Sequence, residues 1–195
     1  MKNRLILGLS LSLVGWLSFC LFAESAESKD IIRDKSPDGK FELQITEEYE
    51  GWSAAIVDRK SNEDVVKLEI YQNSTKEAHL LWSKDSQRVA YFEPNRRGGW
   101  TTVYFREGSG LKEVSLPDFP ACEDKSAEKN SGDKYLKYLE ETTRPVKWLS
   151  SGELVLAVHH EWEMESGATH RCGQTITIAF DADHKASIQK VTKEK

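Results

Sequence analysis

Past residue 22 the sequence contains no apolar stretch long enough to cross a bilayer, so any membrane span would have to lie in its first residues. Clustered basic residues are missing as well. Lys and Arg total 27 against 32 Asp and Glu, a formal charge of −5 at pH 7. A mildly acidic surface argues against nucleic acid as a partner, because phosphate binding needs grouped cations. Cysteine is scarce, with three in 195 residues, at Cys20, Cys122 and Cys172. The short motifs of hydrolytic enzymes are missing too. There is no Gly-x-Ser-x-Gly elbow and no His-Glu-x-x-His helix, so neither a serine hydrolase nor a zinc protease is indicated.

What is present begins with an address. Lys2 and Arg4 precede an apolar run from Leu5 to Phe22, and small residues follow at Ala23, Ser25 and Ala26. That order is a secretory signal peptide over residues 1–25, with cleavage after Ser25, or after Ala23 as the alternative. An uncleaved anchor and a lipoprotein lipidated on Cys20 are the other two readings. The bulky Phe19 stands against the second of these, since a small residue is required there. The mature chain, residues 26–195, is about 170 residues, enough for one domain with its own core. Loss of Lys2, Arg4 and Glu24 takes the charge from −5 to −6. The protein is therefore expected to be exported, periplasmic or secreted, with no span after cleavage. In that oxidising setting Cys122 and Cys172 can form one disulfide; two separate buried thiols are the other reading.

The fold class follows from period-2 patterning. Phe41, Leu43 and Ile45 alternate with Glu42, Gln44 and Thr46, as in a half-buried strand. Further short stretches follow at 52–57, 65–70, 80–82, 88–92, 100–106 and 111–116, separated by turns rich in Gly, Pro, Asn and Asp. Residues 154–165 and 169–180 form a longer hairpin around Ser166-Gly167-Ala168. If Glu165 faces Thr169, Trp162 lies opposite Cys172, and Leu154, Leu156, Val158, His160, Trp162 and Met164 share the core face. Tyr135, Leu136, Tyr138 and Leu139 have helix-like spacing. They predict one short helix near 133–141, ended by Arg144-Pro145.

Three stretches place a polar turn between apolar strands: Ser36-Pro37-Asp38-Gly39-Lys40-Phe41, Trp82-Ser83-Lys84-Asp85-Ser86-Gln87, and Trp148-Leu149-Ser150-Ser151-Gly152-Glu153. Asp bonds the backbone ahead of it, Pro presets φ, and Gly accepts a positive φ. On these residues the chain resembles the TolB-like β-propeller repeat, whose blades carry a Trp-Ser-Pro-Asp-Gly-Lys turn. The first unit has no Trp before its turn, the second has no Pro or Gly, and the third has no Asp. The resemblance implies an all-β, antiparallel meander of three blade-like units. Three are too few for a closed ring. The units must form a compact barrel or sandwich, or two chains must share a ring; the single compact domain is the preferred reading.

Candidate chemistry is sparse. Arg96 and Arg97, a glycine pair and Trp100 make a loop of the composition found in binding hot spots, though a plain hairpin with a packed Trp has the same sequence. His159, Glu161 and Glu163 share one strand face and define a weak metal site; a solvated face opposite Arg171 is the plainer reading. His160 points to the other face, with Trp162 and Cys172, and reads as a core residue. His170 beside Cys172 hints at thiol chemistry, which export turns toward a disulfide. The expected function is that of a non-enzymatic, cofactor-free binding or interaction domain. Its partner would be an envelope or secreted protein, a peptide or a glycan. A small secreted metal-dependent hydrolase using His159, Glu161 and Glu163 is the alternative.

Overall fold

The computed structural model describes residues 30–71, 75–96, 98–122 and 132–194; the leader read over residues 1–25, Cys20 and Arg97 lie outside them. Twelve strands form three antiparallel sheets of four, each in sequence order. Sheet one contains β1 (Asp30–Arg33), β2 (Phe41–Glu48), β3 (Gly51–Asp58) and β4 (Glu63–Leu68). Sheet two contains β5 (His79–Trp82), β6 (Arg88–Pro94), β7 (Gly99–Glu107) and β8 (Gly110–Val114). Sheet three contains β9 (Tyr135–Trp148), β10 (Leu154–Met164), β11 (Thr169–Phe180) and β12 (Ala186–Lys193). Each of the three polar turns joins the first and second strand of its sheet. Among the described residues no helix is long and apolar enough to cross a membrane.

The sheets stack, and sheet two is the filling. Its Val89, Tyr91 and Tyr104 pack against Phe41, Leu43, Ile45 and Ile56 of sheet one. From the opposite face, Ala90, Val103 and Phe105 pack against Leu154, Leu156, Val158, Ile176 and Ile178 of sheet three. This explains why β6 reads Val-Ala-Tyr-Phe without alternation: neighbours on both faces bury every residue of that run. The long strand β10 alternates instead. Its even residues are buried apart from the half-buried Trp162, and the odd face carries His159, Glu161 and Glu163. The outer face of sheet one is similarly polar, with Gln44, Thr46, Ser53 and Lys67 around a shallow depression. A polar outer face on each flanking sheet ends the stack, as capping units do in layered proteins.

The same joint is built twice between layers. The Trp82 indole N–H donates to the Asp34 carbonyl at 2.8 Å, and the Trp148 indole N–H donates to the Leu81 carbonyl at 2.8 Å. Phe41, the first residue of β2, stacks on Trp82 with ring centres 5.8 Å apart. Arg88, the first residue of β6, lies 5.9 Å over the Trp148 ring. Arg106 completes the first joint, 5.2 Å over Phe41 and 2.9 Å from the Asp38 carboxylate. Arg88 completes the second by donating to the Gly152 carbonyl at 2.8 Å. At the other end of the second seam, Thr101 donates two hydrogen bonds to Thr143, from its amide to the hydroxyl and from its hydroxyl to the carbonyl.

Inside the first two turns the serine does similar work. Ser36 Oγ accepts from the Lys40 and Phe41 amides and donates to Asp38, while Ser83 Oγ accepts from the Arg88 amide and donates to Asp85. Gly39, Ser86 and Gly152 occupy the left-handed position of the three turns, with φ of 71°, 60° and 95°. Ser86 holds it although it is not glycine, and its hydroxyl accepts the Asp38 amide across the seam at 2.9 Å. Burial pushes the Asp38 carboxyl up, but the Ser36 hydroxyl, the Lys40 amide and Arg106 outweigh it and leave Asp38 below its ordinary value of 3.8. Asp85 is lowered in the same way: Ser83, the Gln87 amide and Arg88 outweigh the push from burial. A depressed carboxyl stabilises the fold above its unfolded pKa, and that contribution is lost as pH falls through the folded value. Chemical denaturation should show stability declining below about pH 4, with a shallower decline in Asp38→Asn and Asp85→Asn. Identical pH slopes in parent and variants would remove these turns from the account.

Three sequence expectations need correction. The helix near 133–141 is strand β9. Bulges between Glu161 and Trp162 and between Glu163 and Met164 leave Leu139 and Leu136 as extra residues. As a result Tyr135 and Tyr138, three apart, both meet the Trp162 ring, which imitates helical spacing. Arg144-Pro145 does not end the element either. Pro145 sits at a third bulge on an edge strand, where a missing N–H is tolerated. The β10–β11 register is displaced by two residues. Glu163 faces Thr169 and His160 faces Cys172, because the turn is closed by Met164 and Ala168. A shift of two keeps every side chain on its expected face.

Candidate functional site

The five hydrogen bonds that close onto the first strand pairs, through Asp38, Ser86, Arg88, Arg106, Trp82 and Trp148, gather at one end of the stack. The opposite end carries the β2–β3, β6–β7 and β10–β11 connections. Most of the exposed large apolar side chains belong to this far end: Tyr49 and Tyr71 near sheet one, Trp100 on sheet two, and Leu136 and Tyr138 on sheet three. Ile32, Val146 and Val191, the others, lie along edge strands. Each layer thus contributes an aromatic to one end, while the turn end keeps its aromatics inside the joints.

Trp100 is 46% exposed and is the cross-strand partner of Glu93 on β6. The loop before it is shaped by two bonds: Gly98 N–H donates to the Asn95 side chain at 2.8 Å, and Asn95 N–H to the Gly98 carbonyl at 3.3 Å. Glycine is required at 98, since a Cβ there would fall 2.2 Å from the Thr142 methyl of β9. Gly99 has φ of 142° and lies against Glu93 and Phe92. This close packing holds the loop against sheet three. Arg96 is exposed beside it. Beneath, the Tyr91 hydroxyl donates to the Glu69 carbonyl at 2.7 Å, tying sheet two to the segment after β4. Burial pushes the Glu93 carboxyl up, and the nearby Glu69 carboxylate adds to the shift. Burial likewise raises Tyr104 to about 12, with Glu113, Glu93 and Glu69 contributing.

On sheet three a strap covers the extended part of β10 and β11. Cys122 and Cys172 are joined in a disulfide with Cα atoms 5.7 Å apart. Gln174 donates to the Pro120 carbonyl at 2.6 Å, and the Trp162 indole donates to the Cys122 carbonyl at 3.1 Å. The Cys122 amide donates to His160 Nδ1 at 3.3 Å, and His160 Nε2 lies 3.0 Å from the Glu141 carboxylate. These partners assign the proton: Nδ1 must accept, so the neutral ring carries its hydrogen on Nε2 and donates it to Glu141. His160 is 1% exposed, a satisfied core histidine holding the strap. Beyond it Tyr135, Tyr138, Trp162 and His170 form a ring cluster with neighbouring centres 5.0–5.7 Å apart.

The remaining candidates separate. His159 and His160 face opposite sides of β10, and His159 Nε2 lies 3.5 Å from Glu194. Glu161 faces Arg171 across the ladder, and Glu163 faces Thr169. No group of three or more His, Cys, Asp or Glu able to hold a metal is found among the described residues. Sequence reasoning passed over Tyr71, Tyr49 and Tyr138 as surface residues, and over Glu93. Their signal was only that each lies beside a connection at the same end of its sheet. No family model matches the chain, and no curated protein matches it.

Proposed function

We propose that the chain is an exported, non-enzymatic interaction domain that docks a protein partner on the aromatic far end of its three stacked sheets. The observation that carries this is the concentration of Trp100, Tyr71, Tyr49, Tyr138 and Leu136 at one end, one group from each layer. Aromatic side chains that a fold leaves half exposed in company are what binding hot spots use, because each removes a large area from water at small entropic cost. Export is supported by the leader at residues 1–25 and by a disulfide compatible with an oxidising compartment. The TolB-like reading draws support from the twice-built tryptophan joint. The units then form an open stack with polar outer faces, which has no need of a ring.

Trp100→Ala and Tyr138→Ala, singly and together, should abolish capture of partners from an envelope fraction while leaving far-ultraviolet circular dichroism unchanged. The single variants should weaken capture by at least about tenfold, as loss of a hot-spot residue does. Undiminished capture by the double variant would refute the reading. Metal analysis of purified protein tests the hydrolase alternative through His159, Glu161 and Glu163. A stoichiometric ion lost in His159→Ala would favour it.

A further inference from the structure

The aromatic end also has a charge. Glu48, Glu69, Glu93, Glu161, Glu163 and Glu165 lie at or beside its connections, and the described cations there include Arg96, Lys134, Lys137 and Arg171, the last facing Glu161. Most of these carboxylates are ordinary surface groups. Glu93 is different, because it is half-buried in the seam between sheets one and two, on the face it shares with Trp100. No hydrogen bond or ion pair from a described residue reaches its carboxylate. Among the described residues, the groups packed around it do not offset its charge. Glu69 is a second carboxylate, Tyr91 commits its hydroxyl to the Glu69 carbonyl, and Tyr104 stays protonated. Arg33, a cation whose charge acts on Tyr91, donates to the carbonyls of Thr75, Lys76 and Ala78 and lies 4.0 Å from the Asp34 carboxylate. Leaving a half-buried charge uncompensated costs stability, and folds retain such groups where a ligand supplies the missing charge.

We infer that the far end docks a basic segment of its protein partner, with an Arg or Lys side chain laid over the Trp100 ring and paired with Glu93. The inference rests on the docking reading above and specifies the occupant. A cation set over an exposed indole face and beside a carboxylate gains from both, and the guanidinium plane suits that pairing better than a rounded ammonium. The neighbouring Glu93 and Glu69 carboxylates favour such a segment and repel acidic ones.

The test uses the mature protein with hexa-arginine and hexaglutamate peptides as probes, followed by the Trp100 indole N–H resonance and by calorimetry. Hexa-arginine is expected to move the Trp100 resonance saturably and hexaglutamate to leave it in place. Trp100→Ala and Glu93→Gln should each weaken hexa-arginine binding about tenfold. Glu93→Gln should also raise the thermal midpoint at pH 7. The Glu93 carboxyl is raised in the fold, so its ionised form is disfavoured there relative to the unfolded chain, and the amide removes that penalty. A folded Glu93→Gln that binds hexa-arginine as the parent does would overturn the inference. So would an equal response to maltohexaose or to phosphatidylglycerol vesicles, or a concentration-dependent mass that Trp100→Ala abolishes. If Trp100→Ala and Tyr138→Ala lose the native partner while Glu93→Gln and Glu69→Gln keep it, the docking end stands and the basic occupant falls.

Discussion

Replacing Cys122 and Cys172 together by serine is expected to lower the unfolding free energy by about 4 kcal/mol, and the thermal midpoint by roughly 10 °C. The cysteines are 50 residues apart, and the loop they close contains β9 and β10 entire. In the unfolded chain the bond removes the freedom of that loop, and this is where most of its stabilisation arises. In the folded chain the strap has three further attachments, through Gln174, Trp162 and His160. The double serine variant should therefore fold to the same structure with the strap in place. Its denaturation midpoint should be independent of reductant, while the parent's falls to meet it when dithiothreitol is added. Equal stability of parent and variant without reductant would mean that the chain is already ordered around β9 and β10 when unfolded. A strap that leaves β11 in the variant would mean that its three side-chain bonds do not hold it.

Phe105→Ala should cost about 3–5 kcal/mol. Phe105 is 5% exposed and fills the seam between sheets two and three at the turn end. Its ring meets Phe180 at 4.9 Å and His184 at 4.4 Å, and the Arg88 guanidinium lies 5.6 Å from its centre. Truncation leaves a cavity bordered by two sheets whose backbones are each fixed by their own ladders, so little collapse can follow. The comparison is Thr175→Ala on the outer face of β11, expected to stay within about 0.5 kcal/mol. Urea denaturation of both variants checks the stack directly. A Phe105→Ala variant as stable as Thr175→Ala would mean that sheets two and three do not share a core.

Where strands are half-buried and turns follow local chemistry, the residues themselves carry the answer. Leu154, Leu156 and Val158 alternate with residues of the water-facing side, and the Ser36 and Ser83 turns are closed by their own hydroxyls within six residues. Strands β1 and β12 went unread for a complementary reason. Asp30-Ile-Ile-Arg is too short to show a period, and β12 is an edge whose Ser187, Gln189, Lys190 and Thr192 bury little. Of the proposed far-end site, Arg96 and Trp100 were legible as parts of a loop of suggestive composition. Glu93, Tyr71 and Tyr138 were not, because their part depends on which connections lie side by side.

Residue order was enough to specify an all-β chain, the alternating faces of its longest hairpin and the polar turns that start each sheet. These features rest on interactions between residues close along the backbone. The layering was settled elsewhere: both faces of β6 are buried because sheets one and three arrive from opposite sides. Bulges against β10 likewise turned a helical spacing into strand β9, and the Trp82 and Trp148 indoles found carbonyls in a neighbouring sheet. Such pairings join residues dozens of positions apart, and the free energy that selects them comes from surfaces that exist only once the sheets have met.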